Sequence, residues 1–170
     1  MAETRTHFGA CVIVSSPLTL SHDVNIDAIS DEIWPVIANK EAIAINQAYI
    51  GYSGGAFQQS STLLELDRII LPAVERGMGE AEALATGPIV SSSQQYLYKP
   101  LAWDGTETAV LLINSEADAQ ELTLKLSGVP GMTGPCDVRD IGEHVAHGNV
   151  AKSISATGES HDGLRCGSMT

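Results

Sequence analysis

Basic residues are scarce in this chain. It carries 9 Lys and Arg against 21 Asp and Glu, a formal net charge of −12 over 170 residues. Such a surface has little with which to neutralise phosphates, which argues against nucleic acid and anionic membrane as partners. The same charge says little about a neutral ligand such as a sugar. Long apolar runs are absent, and none reaches the roughly 18 residues that a membrane span needs. Cysteine is sparse: Cys11, Cys136 and Cys166 give no pair at metal-ligand spacing. A Cys136–Cys166 disulfide stays open, since it needs an oxidising compartment and spacing alone does not decide it. There is no phosphate-binding loop, because the stretch Gly51 to Gly55 lacks the lysine such a loop needs. Residues 1–10 lack the basic start and apolar core of a signal peptide. For a true N-terminus that points to the cytoplasm; for a segment of a longer chain it carries no message.

What is present fits a folded protein. Hydrophobic residues make up 44% and charged residues 18%, enough for one ordinary domain or two small pieces. The apolar run Cys11–Val14 reads as the end of a helix whose start lies upstream. Pro17–Leu20 reads as a short strand, with proline at its first position, where the missing N–H does least harm. Ile26, Ile29, Ile33, Val36 and Ile37 then form a helical stripe. Asn25 or Asp27 could cap it, and Pro35 should kink it or limit the first turn of a second helix. Strand followed by helix is the βα unit of parallel sheets and barrels.

Residues 51–61 form a boundary rich in Gly, Ser and Gln. A second helical pattern is expected over Leu63–Ala85, and a loop over Thr86–Ser93. From Gln94 the period changes to two. Strands are expected at Gln95–Leu101, Thr108–Asn114, Glu121–Leu126, Cys136–Ile141, Val150–Ser155 and Gly163–Cys166. Asp104-Gly105, Pro130-Gly131, Gly134-Pro135, Gly148-Asn149 and Gly158 read as the turns between them. Short strands at near-regular spacing predict an antiparallel sandwich.

Several segments carry a resemblance. Asn39-Lys-Glu-Ala-Ile-Ala-Ile-Asn-Gln47, Lys99-Pro-Leu-Ala-Trp-Asp-Gly-Thr106, Ala109-Val-Leu-Leu-Ile-Asn114 and Val138-Arg-Asp-Ile-Gly-Glu-His144 occur in that order. They are similar to segments of the family 27 glycoside hydrolases, the α-galactosidases. Ser160-His161-Asp162 falls where members carry His or His-Asp before the final strand. Residues 58–93 do not align and read as an insert, and Cys136 and Gly142 depart from the family pattern. The resemblance implies an α+β fragment: the last βα unit of a TIM (β/α)8 barrel followed by a C-terminal antiparallel β-sandwich. Residues 1–50 would end the barrel, 51–93 would be a linker with a helical insert, and 94–170 would be the sandwich. It implies a retaining glycosidase acting on terminal α-linked galactose in an extracellular, lysosomal or vacuolar setting. Retention needs two carboxyl groups about 5 Å apart. The family's Lys-Tyr-Asp and Trp-Asn-Asp-Pro-Asp-Met motifs are absent here, so no aspartate of this chain inherits either role. No cofactor is implied, and a complete enzyme would bind the α-galactoside with an upstream barrel segment or another subunit.

Other chemistry yields to blander readings. Ser21-His22-Asp23 and Ser160-His161-Asp162 look like triads, but adjacent residues point in different directions and cannot form the relay. His22 and Asp23 would follow the last barrel strand, with Asp23 capping a loop. His144 and His147, with Glu143, lack a helix and a third ligand, so they read as exposed, solvated side chains. Trp34 is assigned to the core beside the apolar stripe, and Trp103 to an open turn that could form a ligand surface. If the chain is a fragment, an apolar patch should be exposed around Val12, Val14, Leu18, Leu20 and Ile33. The competing reading is a non-catalytic carbohydrate-binding or interaction module, in which residues 10–50 cover the sandwich.

Overall fold

A computed structural model describes residues 2–19, 27–66, 89–159 and 163–169. Three helices come first: α1 (Ala2–Ile13), α2 (Asp27–Ile37) and α3 (Lys40–Gln47). Ten strands follow: β1 (Gly55–Gln59), β2 (Leu63–Leu66), β3 (Ile89–Ser92), β4 (Gln94–Pro100) and β5 (Thr108–Asn114), then β6 (Gln120–Lys125), β7 (Cys136–Asp140), β8 (Val145–Val150), β9 (Ser153–Gly158) and β10 (Gly163–Met169). All described pairings are antiparallel. Six strands form one sheet in the order β1-β4-β5-β10-β7-β8, while β2–β3 and β6–β9 form separate two-stranded ribbons.

The composition of β5 organises the molecule. Every residue of Thr108-Ala-Val-Leu-Leu-Ile-Asn114 is buried, because the strand is covered on both faces and so reads as a continuous apolar run. Its alternate residues feed two cores. Val110 and Leu112 join Tyr96, Leu122, Leu124, Cys136 and Val138 beneath the β6–β9 ribbon. Ala109, Leu111 and Ile113 join Leu97, Val12, Ile13, Ala42 and Ile45 beneath α1 and α3. The result is three layers: helices, sheet and ribbon. Leu111, Leu122 and Leu124 are each at most 1% exposed, and each such burial contributes about 1.5–3 kcal/mol. Gly9 lets α1 lie close on the sheet, since a Cβ there would sit 3.1 Å from a Leu111 methyl.

The helices end for identifiable reasons. Ser15 takes φ 57°, Ser16 N–H donates to Cys11 O at 3.0 Å, and Ser15 N–H points to Val12 O at 3.4 Å. That is a Schellman ending with serine in the left-handed position. Asn39 caps α3, its side chain accepting from Glu41 N–H and Ala42 N–H.

Several expectations hold and others need correction. β4, β5, β6, β7 and β10 lie where the period-two pattern puts them. Helix α1 ends at Ile13 as expected and extends back to Ala2. Helix α2 follows the isoleucine stripe with Pro35 inside it. Asn25, one of its expected caps, lies outside the described residues. No strand forms over Pro17–Thr19, because these residues have no neighbouring strand to satisfy their N–H and C=O groups; Leu20 lies outside the described residues. Leu63–Leu66 is a strand paired with Ile89–Ser92, so neither the helix expected from Leu63 nor the loop expected through Ser93 forms there. The strand expected at Val150–Ser155 is interrupted: Val150 ends β8, Ala151 and Lys152 form a bend, and Ser153 begins β9. Gly148, read as a turn, is the positive-φ residue of a bulge inside β8.

Candidate functional site

The segments that carry the resemblance meet at the junction of α3 with the sheet. At the N-terminal end of α3, the Asn39 amide donates to Ile141 O at 2.7 Å. Two residues on, the Glu41 carboxylate receives Arg139 Nε at 2.6 Å and Nη2 at 2.9 Å. His144 Nδ1 lies 2.9 Å from the same carboxylate. At the C-terminal end the Lys99 ammonium donates to the Ile45 carbonyl, and to that of Asn46 at 3.0 Å. A cation at a helix C-terminus meets the last carbonyls and the negative end of the dipole. The Asn46 amide donates to Cys11 O at 3.0 Å and Ser16 O at 2.9 Å, which fixes the end of α1 to α3. Asn114, at the end of β5, donates to Asp118, Gly158 and Glu159 carbonyls at 2.9, 3.1 and 2.9 Å. These motif residues hold layers together.

Electrostatics at the junction make a measurable prediction. Arg139, followed by His144, holds the Glu41 carboxyl down to about 2 from its ordinary 4.5. A depressed carboxylate stabilises the fold above its unfolded value, and that contribution disappears as pH falls through the folded value. Glu41 and Arg139 are 35% and 41% exposed, so solvent screening limits the pair to about 1 kcal/mol. Urea unfolding from pH 7 to pH 2 should show Glu41→Gln weaker than wild type by that amount at neutrality, with the gap closing in acid. A gap that does not change with pH would remove this account of the junction.

The structure disperses most other candidates. Ser21-His22-Asp23 and Ser160-His161-Asp162 lie outside the described residues, as does Leu20 of the expected patch. His144 occupies a positive-φ turn, φ 56°, and turns to Glu41 rather than standing solvated alone. His147 is exposed within β8, and the Glu143 N–H donates to Asp140 Oδ1 at 3.1 Å. Among the described residues, no three His, Cys, Asp or Glu side chains are grouped to hold a metal ion. Cys136 is a free, buried thiol, and burial, then Asp137, pushes that thiol up; the side chain of Cys166, its expected disulfide partner, lies outside the described ones. Trp34 is 60% exposed, not in the core, because it sits one residue around the helix from Ile33 and off the apolar stripe. Val12 is fully buried under α1's contact with the sheet, whereas Val14 and Leu18 are exposed. Leu18, Ile33 and Trp34, with His7, Phe8 and Cys11, line an open cleft of about 800 Å³ on the helical side.

The sequence reading missed the role of Lys99. Its clue was the strand's period: Lys99 lies two residues beyond buried Leu97, on the face that α1 and α3 cover.

No family model and no curated protein matches the sequence. Solved structures match its fold along the full length. An α-galactosidase I from Mortierella vinacea gives a TM-score of 0.69 at 19% identity, over 100% of this chain and 36% of its own. An α-galactosidase from Saccharomyces cerevisiae gives 0.66 at 14%, over 100% of this chain and 44% of its own. The fold is that of the C-terminal part of the α-galactosidases. A GH27 β-L-arabinopyranosidase from Geobacillus stearothermophilus shares it, with a TM-score of 0.68 at 13% identity, over 100% of this chain and 30% of its own. The α+β arrangement with antiparallel sheets matches the C-terminal domain of these α-galactosidase-fold enzymes. The chain spans less than half the length of each of these structures.

Proposed function

We propose that this chain supplies the C-terminal portion of a retaining glycosidase of the α-galactosidase type, with both catalytic carboxylates carried upstream. Residues 1–50 would be the end of its barrel, 51–93 a linker with an insert, and 94–170 the sandwich domain. The observation that carries this reading is the match of the whole chain to only a part of each related structure. The open helical-side cleft, with Leu18 and Trp34 exposed, supports it as a face for further barrel elements. The Saccharomyces enzyme is seen with raffinose and the Geobacillus enzyme with arabinose. Those ligands make a terminal α-galactoside the leading substrate for the complete protein and a pentopyranoside the neighbouring choice.

On this reading the isolated 170-residue chain should not hydrolyse p-nitrophenyl α-D-galactopyranoside above the uncatalysed rate. An antibody to residues 94–170 should detect a native species several-fold above 17.9 kDa that does. Turnover by the isolated chain would overturn the upstream placement of the carboxylates. A heavy species inactive on both galactosides and arabinopyranosides would overturn the glycosidase reading. A non-catalytic binding module is the second reading, favoured by the packing of α1 and α3 over the sheet, and a native species at 17.9 kDa would decide for it.

A further inference from the structure

Three large aromatic side chains stand exposed around one glycine. Trp103 is 79% exposed, Tyr49 66% and Tyr52 52%. Gly51 lies between the two tyrosines in sequence with φ +100°. The Trp103 ring rests on it, since a Cβ at Gly51 would lie 3.0 Å from Trp103 Cη2. The Tyr49 hydroxyl donates to the Gly51 carbonyl at 2.7 Å, which restrains that ring. Trp103 projects from a turn stiffened by Asp104, whose Oδ1 accepts from Thr106 N–H at 3.1 Å and from the Thr106 hydroxyl at 2.7 Å. The two rings are therefore positioned by turns while remaining in water. Ordered aromatic surface left in water is costly, and such patches mark contact sites.

The chemistry selects the occupant. The Asp104 carboxylate, exposed and next in sequence to Trp103, on a chain of net charge −12, opposes anions. Phenol and indole rings offer apolar faces with polar rims. A pyranose matches both, placing C–H bonds on a ring face and hydroxyl donors toward a carboxylate. We propose that Trp103, Tyr49 and Tyr52 form a surface platform that binds neutral pyranosides. The choice of a sugar rests on the glycosidase reading above.

The test follows the two indole N–H resonances, Trp34 and Trp103, in ¹⁵N-labelled full chain titrated with methyl α-D-galactopyranoside. Trp103 should shift saturably while Trp34 stays still. Trp103→Ala, at an exposed position that leaves the fold intact by circular dichroism, should weaken binding measured by calorimetry at least about tenfold. Three results would overturn the platform: no saturable shift with galactoside, glucoside or arabinopyranoside; undiminished binding in Trp103→Ala; or a Trp103 shift that tracks protein concentration without sugar, which would mean self-association. None of these outcomes bears on the heavy-species activity assay, so the two readings fail separately.

Discussion

Gly54→Ala should destabilise the protein by about 3 kcal/mol or more, among the larger effects a single methyl group can have. Gly54 passes between the end of α1 and the backbone of β4. An added Cβ would lie 2.4 Å from Tyr98 O, 2.6 Å from Ile13 O and 2.7 Å from Ile13 Cγ2. Two of those atoms are backbone, so no side-chain rotation relieves the overlap. The Gly54 N–H also donates to Ile13 O at 3.0 Å, and Gly55 begins the register of β1 against Tyr98. Moving the chain outward would loosen both. At roughly 2–4 °C per kcal/mol for a protein of this size, the melting temperature should fall by about 6–12 °C. Gly55→Ala is the control, because nothing lies within 4 Å of its Cβ position. Equal losses in the two variants would show that the close approach is not there.

Lys99→Met should cost about 2–4 kcal/mol. Lys99 is fully buried, and methionine fills much of the same volume without a donor. The variant strips the Ile45 and Asn46 carbonyls of the ammonium that donates to them and removes a cation from the end of α3. Because those carbonyls face the interior, water cannot replace it freely. The loss should be local first. Amide exchange in α3, read at Ala48, whose N–H donates to Ala44 O, should quicken more than exchange in β5. A loss below about 1 kcal/mol with α3 exchange unchanged would mean that the helix is held by its apolar face alone.

The sheet was more legible in the sequence than the junction, for physical reasons. β5 is bounded by a turn signal at Asp104-Gly105, and burial on both faces gives it an unbroken apolar run. β6 alternates, with Leu122 and Leu124 buried and their neighbours exposed. Leu63-Leu-Glu-Leu66 fits both a helical and a strand period, and so short a run cannot separate them. Gly148 shows the same limit for turns: a positive φ serves a bulge as well as a chain reversal. The bonds of Glu41 to Arg139 and His144 span 98 and 103 residues. No local pattern announces such a pair, although both partners stood inside segments singled out for their resemblance. Trp34 neighbours the apolar stripe in sequence without belonging to it, because adjacent residues of a helix face different directions. The galactosidase likeness was readable from ordered motifs; what those residues do in this chain, which is to fasten α3, required geometry.

The position of β10 has a consequence for synthesis. It sits between β5 and β7, yet follows every other described strand in the chain. As the polypeptide leaves the ribosome, β4 and β5 can zip together at once as a local hairpin, and β7 with β8 likewise. The two hairpins cannot join until residues 163–169 emerge to bridge them. In that interval β5 and β7 each present a bare edge, one of them strongly apolar, in a form suited to pairing with other nascent chains. The order of strands in this sheet thus makes its closure the last step of its assembly, and gives a chaperone that shields β-edges a defined window in which to act.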